Sequence, residues 1–137
     1  MSFTTATFRI VSKKGESLSL DSVRTYGIGD SWGGAWPNNI NNNPGIQNVN
    51  VSNANFNGEV NCIVTMDINP EYVNQVPYAS DNASLLFSIN GSNLHINIHK
   101  SGSMDTTGVY GSHPDAINWD ANLHCISDAN TIFVRTN

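Results

Sequence analysis

The sequence predicts an all-β protein, an antiparallel β-sandwich of about eight short strands joined by long polar loops. Apolar and polar residues alternate over short runs, as in Ser17-Leu18-Ser19-Leu20 and Leu94-His95-Ile96-Asn97-Ile98, which is the period of a half-buried strand. Gly, Pro, Asn and Ser cluster between those runs, and no segment sustains a long helical period. Asn occurs 21 times in 137 residues while charged residues make up only 12%, a composition that suits turns and loops.

From the N-terminus, Phe8-Arg9-Ile10-Val11 and Ser17-Leu18-Ser19-Leu20-Asp21 flank Ser12-Lys13-Lys14-Gly15-Glu16. This reads as a β-hairpin with a Gly-containing loop. The stretch from Tyr26 to Gly45 is crowded with Gly, Asn and Pro around Trp32 and Trp36, and it reads as a long irregular excursion. Ile46 to Ser52, with Val49 and Val51 on one face, and Glu59 to Met66, with Val60, Cys62, Val64 and Met66 together, are the next two strands. Pro70 to Pro77 is a connection bounded by prolines. Ser84 to Ile89, the pair Asn90-Gly91, and Asn93 to His99 form the clearest hairpin signal, since Asn-Gly supplies the positive φ angles of a tight turn. After an irregular stretch from Lys100 to Trp119, Leu123 and Cys125 pair with Ile132 and Val134 in a last hairpin around Ser127-Asp128-Ala129-Asn130.

A chain of 137 residues with 39% hydrophobic content fits one domain, residues 1–137, with a real core. The net charge of −5 lacks the electrostatic footprint of a nucleic-acid binder. Four of the six basic residues, Arg9, Lys13, Lys14 and Arg24, fall in the first two strands and their loop. Two adjacent lysines there are either ordinary solvated side chains or a contact for anionic headgroups. No run approaches the roughly 18 apolar residues of a membrane-spanning helix, and Met1-Ser2-Phe3-Thr4-Thr5 does not open a conventional signal peptide. The expected location is therefore the cytoplasm, or release by another route with action at a target cell surface. Cys62 and Cys125 sit in alternating apolar segments and are expected as buried free thiols rather than a disulfide.

No nucleophile-elbow, zinc-hydrolase, CxxC or phosphate-cradling motif occurs, so the chain is read as a non-enzyme without cofactor or metal. His95 and His99 lie four strand residues apart, about 13 Å, too far to share one ion directly. Aromatic residues in polar loops are more informative. Trp32, Trp36, Tyr78, Tyr110 and Trp119, with His113 beside them, are the candidate ligand-binding residues. Such rings stack on a sugar face or sit at a membrane interface, unless they fold back as lids over the core.

Phe87-Ser88-Ile89-Asn90-Gly91, the apolar strand after it and the Gly-containing loop ending near Tyr110-Gly111 resemble the matching hairpin of aegerolysin-type proteins. That family includes the small components of bacterial binary insecticidal toxins. Lys13-Lys14-Gly15-Glu16-Ser17-Leu18-Ser19-Leu20, followed by Gly29 to Trp32 and Pro37, is similar to its N-terminal region. The chain departs from the family at Asn97-Ile98-His99-Lys100, where many members carry a Trp-Asp-Cys-Pro-Trp-like segment, and in its longer polar insert around Asn53 to Asn82. The resemblance implies a non-enzymatic β-sandwich that recognises membrane lipids, of cytolysin or toxin type, often with a larger protein partner that completes a pore. The alternative is a lectin that binds glycans through Asn, Asp and aromatic loop residues. A homo-oligomer is compatible with either reading, and a structural or storage role would show neither ligand.

Overall fold

The computed structural model describes residues 3–26, 32–38, 46–68, 84–98, 104–105, 123–128 and 131–136, and strands dominate these residues, with no helix among them. The first sheet contains β1 (Thr4–Ser12), β4 (Ile46–Ser52), β6 (Cys62–Ile68), β10 (Leu123–Asp128) and β11 (Thr131–Thr136), in the order β10-β11-β1-β6-β4. The second contains β2 (Leu18–Tyr26), β3 (Trp32–Trp36), β7 (Ser84–Ile89), β8 (Ser92–Ile98) and β9 (Met104–Asp105), in the order β3-β2-β7-β8-β9. The short β5 (Asn55–Phe56) also pairs with β2. The all-β expectation therefore holds, with eleven strands among the described residues in place of about eight. The three unforeseen strands, β3, β5 and β9, are short and all belong to the second sheet.

Both sheets feed one core. Ala6, Phe8 and Ile10 of β1, Val64 and Met66 of β6, and Ile132 and Val134 of β11 join Leu18, Leu20 and Val23 of β2, Leu85, Phe87 and Ile89 of β7, and Leu94 of β8 in a single buried cluster. Phe8, Phe56 and Phe87 are the bulkiest wholly buried side chains, each contributing about 2–3 kcal/mol relative to exposure.

The expected hairpin between β1 and β2 does not form. The two strands lie in different sheets: β1 pairs with β6 and β11, and β2 pairs with β7, β3 and β5. Alternation reports which face of a strand is apolar but not which neighbour it joins. Here the apolar residues of both strands enter the same core from different sheets. The corner between them is held by Gly15 N–H donating to Ser12 O at 3.1 Å and by buried Ser12 Oγ–H donating to Glu16 O at 2.6 Å. Gly15 has a φ of +76°, and a Cβ on Gly58 would lie 3.0 Å from Gly15 Cα, so two backbones meet where no side chain fits easily.

The antiparallel expectation fails at one pair. β1 runs parallel to β11, with Arg9 opposite Thr131 and Val11 opposite Phe133. Parallel neighbours need a long crossover between them, and here almost the whole chain supplies it.

Local departures have local causes. Asn48 adopts a φ of 55° at a register shift in β4, so Ile46 and Val49 are both buried despite their odd spacing, and Val51 then packs beside the core. β6 begins at Cys62 rather than Glu59, because Asn57 Oδ1 accepts from Glu59 N at 2.8 Å and Val60 N at 2.9 Å. That side-chain turn competes with the strand and leaves Val60 41% exposed. Trp32–Trp36 lies in the stretch expected to be irregular, yet it pairs antiparallel with β2 from Tyr26 to Val23, with a bulge between Arg24 and Val23. Only an outer strand tolerates two glycines at so little cost.

The Asn90-Gly91 hairpin is as expected, with φ values of 50° and 80° and Ile89 opposite Ser92. It is also tied to β2. Asn90 N donates to Ser19 O at 2.9 Å, Asn90 Oδ1 accepts from Ser19 N at 2.8 Å, and Gly91 N donates to Asp21 Oδ2 at 3.0 Å. The last hairpin, β10 with β11, also forms, from Leu123 opposite Thr136 to Asp128 opposite Thr131. The connection over Pro70 to Pro77, and the stretch 106–122 within the irregular region after Lys100, lie outside the described residues.

Cys62 and Cys125 are buried thiols that are not joined in a disulfide, as expected. Strands β1 and β11 lie between β6 and β10, which puts the two cysteines more than about 14 Å apart across the sheet, beyond disulfide reach. Burial alone pushes the Cys62 thiol up to about 12. A thiol reagent should accordingly count two thiols per chain in denaturant and react far more slowly with the native protein. Gly58→Ala should lower the unfolding free energy by about 1 kcal/mol or more, measured by urea titration, because the Gly15 backbone must shift to admit the methyl group.

Candidate functional site

The outward side of the first sheet carries two of the chain's six cations, Arg9 and Arg135. On β1 the inward residues Ala6, Phe8, Ile10 and Ser12 are buried while Arg9 is exposed and Val11 is half-buried. On β11 the outward residues are Thr131, Phe133 and Arg135, and on β10 they are His124 and Ile126. Strand register sets these side chains in rows: Ile126 opposite Phe133 and Phe133 opposite Val11, then His124 opposite Arg135, and Arg9 between Thr131 and Ile63. An outward apolar row of Ile126, Phe133 and Val11 therefore lies between Arg9 on one side and Arg135 on the other. Ile126 is 54% exposed, although an alternating strand would place a polar residue there.

The β1–β2 corner extends the positive field. Lys13 and Lys14 are exposed, Lys13 N donates to Val134 O at 2.8 Å, and Lys14 Nζ donates to Thr136 O at 3.3 Å. Glu16 faces the end of β11: its carboxylate accepts from Thr136 N at 2.9 Å and Thr136 Oγ1 at 2.6 Å. These two bonds, assisted by Lys14 and Arg135, hold the Glu16 carboxyl below its ordinary value. Residues 4–17 and 123–136 together carry four cations against two acids, Glu16 and Asp128, while the rest of the chain carries two cations against nine acids. The far end of the same sheet is different in character. There Asp67 accepts from Asn48 Nδ2 at 2.8 Å and Thr5 Oγ1 at 3.3 Å.

The residues named from the sequence fall elsewhere. Trp32 and Trp36 are on β3, in the second sheet, with Trp36 half-buried against the core. The structure does not bring them to the cationic face. Tyr78, Tyr110, His113 and Trp119 lie outside the described residues, as does His99. Among the described residues no group of three His, Cys, Asp or Glu side chains could hold a metal ion, and no helix is long and apolar enough to cross a membrane. Sequence reasoning noticed Arg9, Lys13 and Lys14 but grouped them with Arg24, which belongs to the second sheet. It missed Arg135, Phe133 and Ile126. The usable signal was the unbroken apolar run Ile132-Phe133-Val134, which puts an apolar residue on each side of β11. No known family, characterised protein or solved structure matches the chain.

The Glu16 contact sets a pH dependence. Its folded-state value is lowered, so the stability it contributes is complete above the ordinary 4.5 and is lost as pH falls through the folded value. Glu16→Gln should cost about 1 kcal/mol at neutral pH. In denaturant titrations across pH, the gap between the variant and the wild type should close on acidification below 4.5.

Proposed function

We propose that the chain is a non-enzymatic β-sandwich module that recognises membranes containing anionic lipid. The observation that carries this reading is the outward face of β10, β11 and β1, where an apolar row is bordered by Arg9, Arg135, Lys13 and Lys14 in a chain of net charge −5. Basic side chains attract anionic headgroups while Ile126 and Phe133 meet the acyl boundary. The face is part of a sheet rather than a pocket, which suits an extended headgroup layer better than a single small molecule.

Each basic residue near an anionic bilayer contributes about 1 kcal/mol, so four give about 4 kcal/mol, which alone is millimolar binding. Useful residence on a membrane then requires several copies, or a second protein that binds the same surface. This agrees with the resemblance to aegerolysin-type proteins, which implies a larger pore-forming partner. The aromatic residues named from the sequence, Trp32 on β3 foremost, are further contact candidates, and the reading does not rest on them.

The test is co-sedimentation with vesicles of phosphatidylcholine alone and of equimolar phosphatidylcholine and phosphatidylserine. The protein should pellet with the anionic vesicles, and added salt should release it. Replacing Arg9 and Lys13 together by Gln should weaken binding about thirtyfold, from two lost cations. Equal pelleting with both vesicle types, or an unchanged double variant, would overturn the reading.

A further inference from the structure

A groove of about 320 Å³ opens where the end of the β1–β2 corner, β5 with the turn after it, and the β7–β8 turn converge. Ser17, Ser19, Asn55, Asn57 and Asn90 line it, with Leu18 and Phe56 as its apolar part. No charged side chain is among these seven. Leu18 and Phe56 are 3% and 1% exposed, anchored in the core, so the groove has a rigid base.

The amides of Asn57 and Asn90 are held in one orientation. Each has its Oδ1 committed to backbone N–H groups: Asn90 to Ser19 N at 2.8 Å, and Asn57 to Glu59 N and Val60 N at 2.8 and 2.9 Å. An N–H requires an oxygen as its acceptor, so the Nδ2 group of each amide is the end left for other partners. Ser19 Oγ–H donates to Asp21 Oδ1 at 3.2 Å, which leaves its oxygen as an acceptor. Among the described residues the Asn55 side chain, exposed on β5, forms no hydrogen bond, and it carries both donors and acceptors. The lining therefore combines fixed amide donors, a hydroxyl acceptor and one adaptable amide.

We infer that this groove binds a neutral sugar ring through Asn55, Asn57, Asn90, Ser17 and Ser19. An anion would find no cation in the lining, and the Asp21 carboxylate beside Ser19 would repel it. A cation would find no carboxylate in the lining. A ring with several hydroxyls donates and accepts at once, which matches amides and serines. The volume lies at the small end of ligand sites, the size of one or two sugar units. The lining shares no residue with the cationic face, and the inference is independent of the membrane reading. Whether the sugar is free or the headgroup of a glycolipid leaves the chemistry unchanged.

The experiment is NMR titration of the whole chain with galactose, glucose, mannose, N-acetylglucosamine and N-acetylgalactosamine at millimolar concentrations, beside sulfate and sialic acid. At least one neutral sugar should shift the side-chain amide signals of Asn55, Asn57 and Asn90. Asn55→Ala should weaken that sugar about tenfold, with thermal unfolding unchanged because Asn55 is exposed and unbonded within the described fold. Ser17→Ala is the second variant, expected to weaken binding without disturbing either Asn turn. Arg9→Gln with Lys13→Gln should bind the sugar as the wild type does, which separates this site from the membrane face. Vesicles of phosphatidylcholine with and without a neutral glycolipid carrying the selected sugar distinguish the two sources. No shift with any neutral sugar, preferential binding of sulfate or sialic acid, or undiminished binding by Asn55→Ala would overturn the inference.

Discussion

The parallel pairing of β1 with β11 places the first strand at the centre of the first sheet, between β11 and β6, and brings in β10 through its hairpin with β11. Without it, Ile132 and Val134 would have no wall of the core to complete, Phe133 would not lie beside Val11, and Thr131 would not lie beside Arg9. The Glu16 and Lys14 contacts to Thr136 secure the same seam from the corner. A pairing that joins residues about 120 positions apart forms only after much of the chain has been ordered.

What could be read from the sequence follows the distance over which each feature is determined. The Asn90-Gly91 and β10–β11 hairpins are set by neighbouring residues and were legible. Phe8 and Ile10, like Leu18 and Leu20, were legible as apolar faces, but their assignment to separate sheets depends on strands far away in sequence. The same reason explains β3: Trp32 to Trp36 has no intrinsic strand signal, and its regularity comes from the open edge of β2. The candidate site was half legible. Lys13 and Lys14 drew attention as a pair, but their neighbours Arg135 and Phe133 arrive only through β1–β11 pairing.

The abundance of asparagine has a structural account at several positions. Asn48, Asn53 and Asn90 all adopt positive φ values, Asn57 closes a turn with its side chain, and Asn53 Nδ2 donates to Asn61 O at 3.2 Å. Asparagine tolerates left-handed backbone and imitates a peptide group with its own amide. In this chain it does at bulges and corners what glycine alone would do with greater loss of chain entropy. An amide anchored at its oxygen also retains its donors, so a residue that shapes a turn can line a binding groove as well.

The parallel seam also determines how the domain meets force. Because β1 and β11 run in the same direction, the start of β1 at Thr4 and the end of β11 at Thr136 lie toward opposite ends of the sheet. Tension drawn outward through those two points slides the strands along each other. The hydrogen bonds from Arg9–Thr131 to Ser12–Val134 are then loaded together in shear rather than peeled one at a time. The seam that closes the core is thus also the mechanical clamp of the fold.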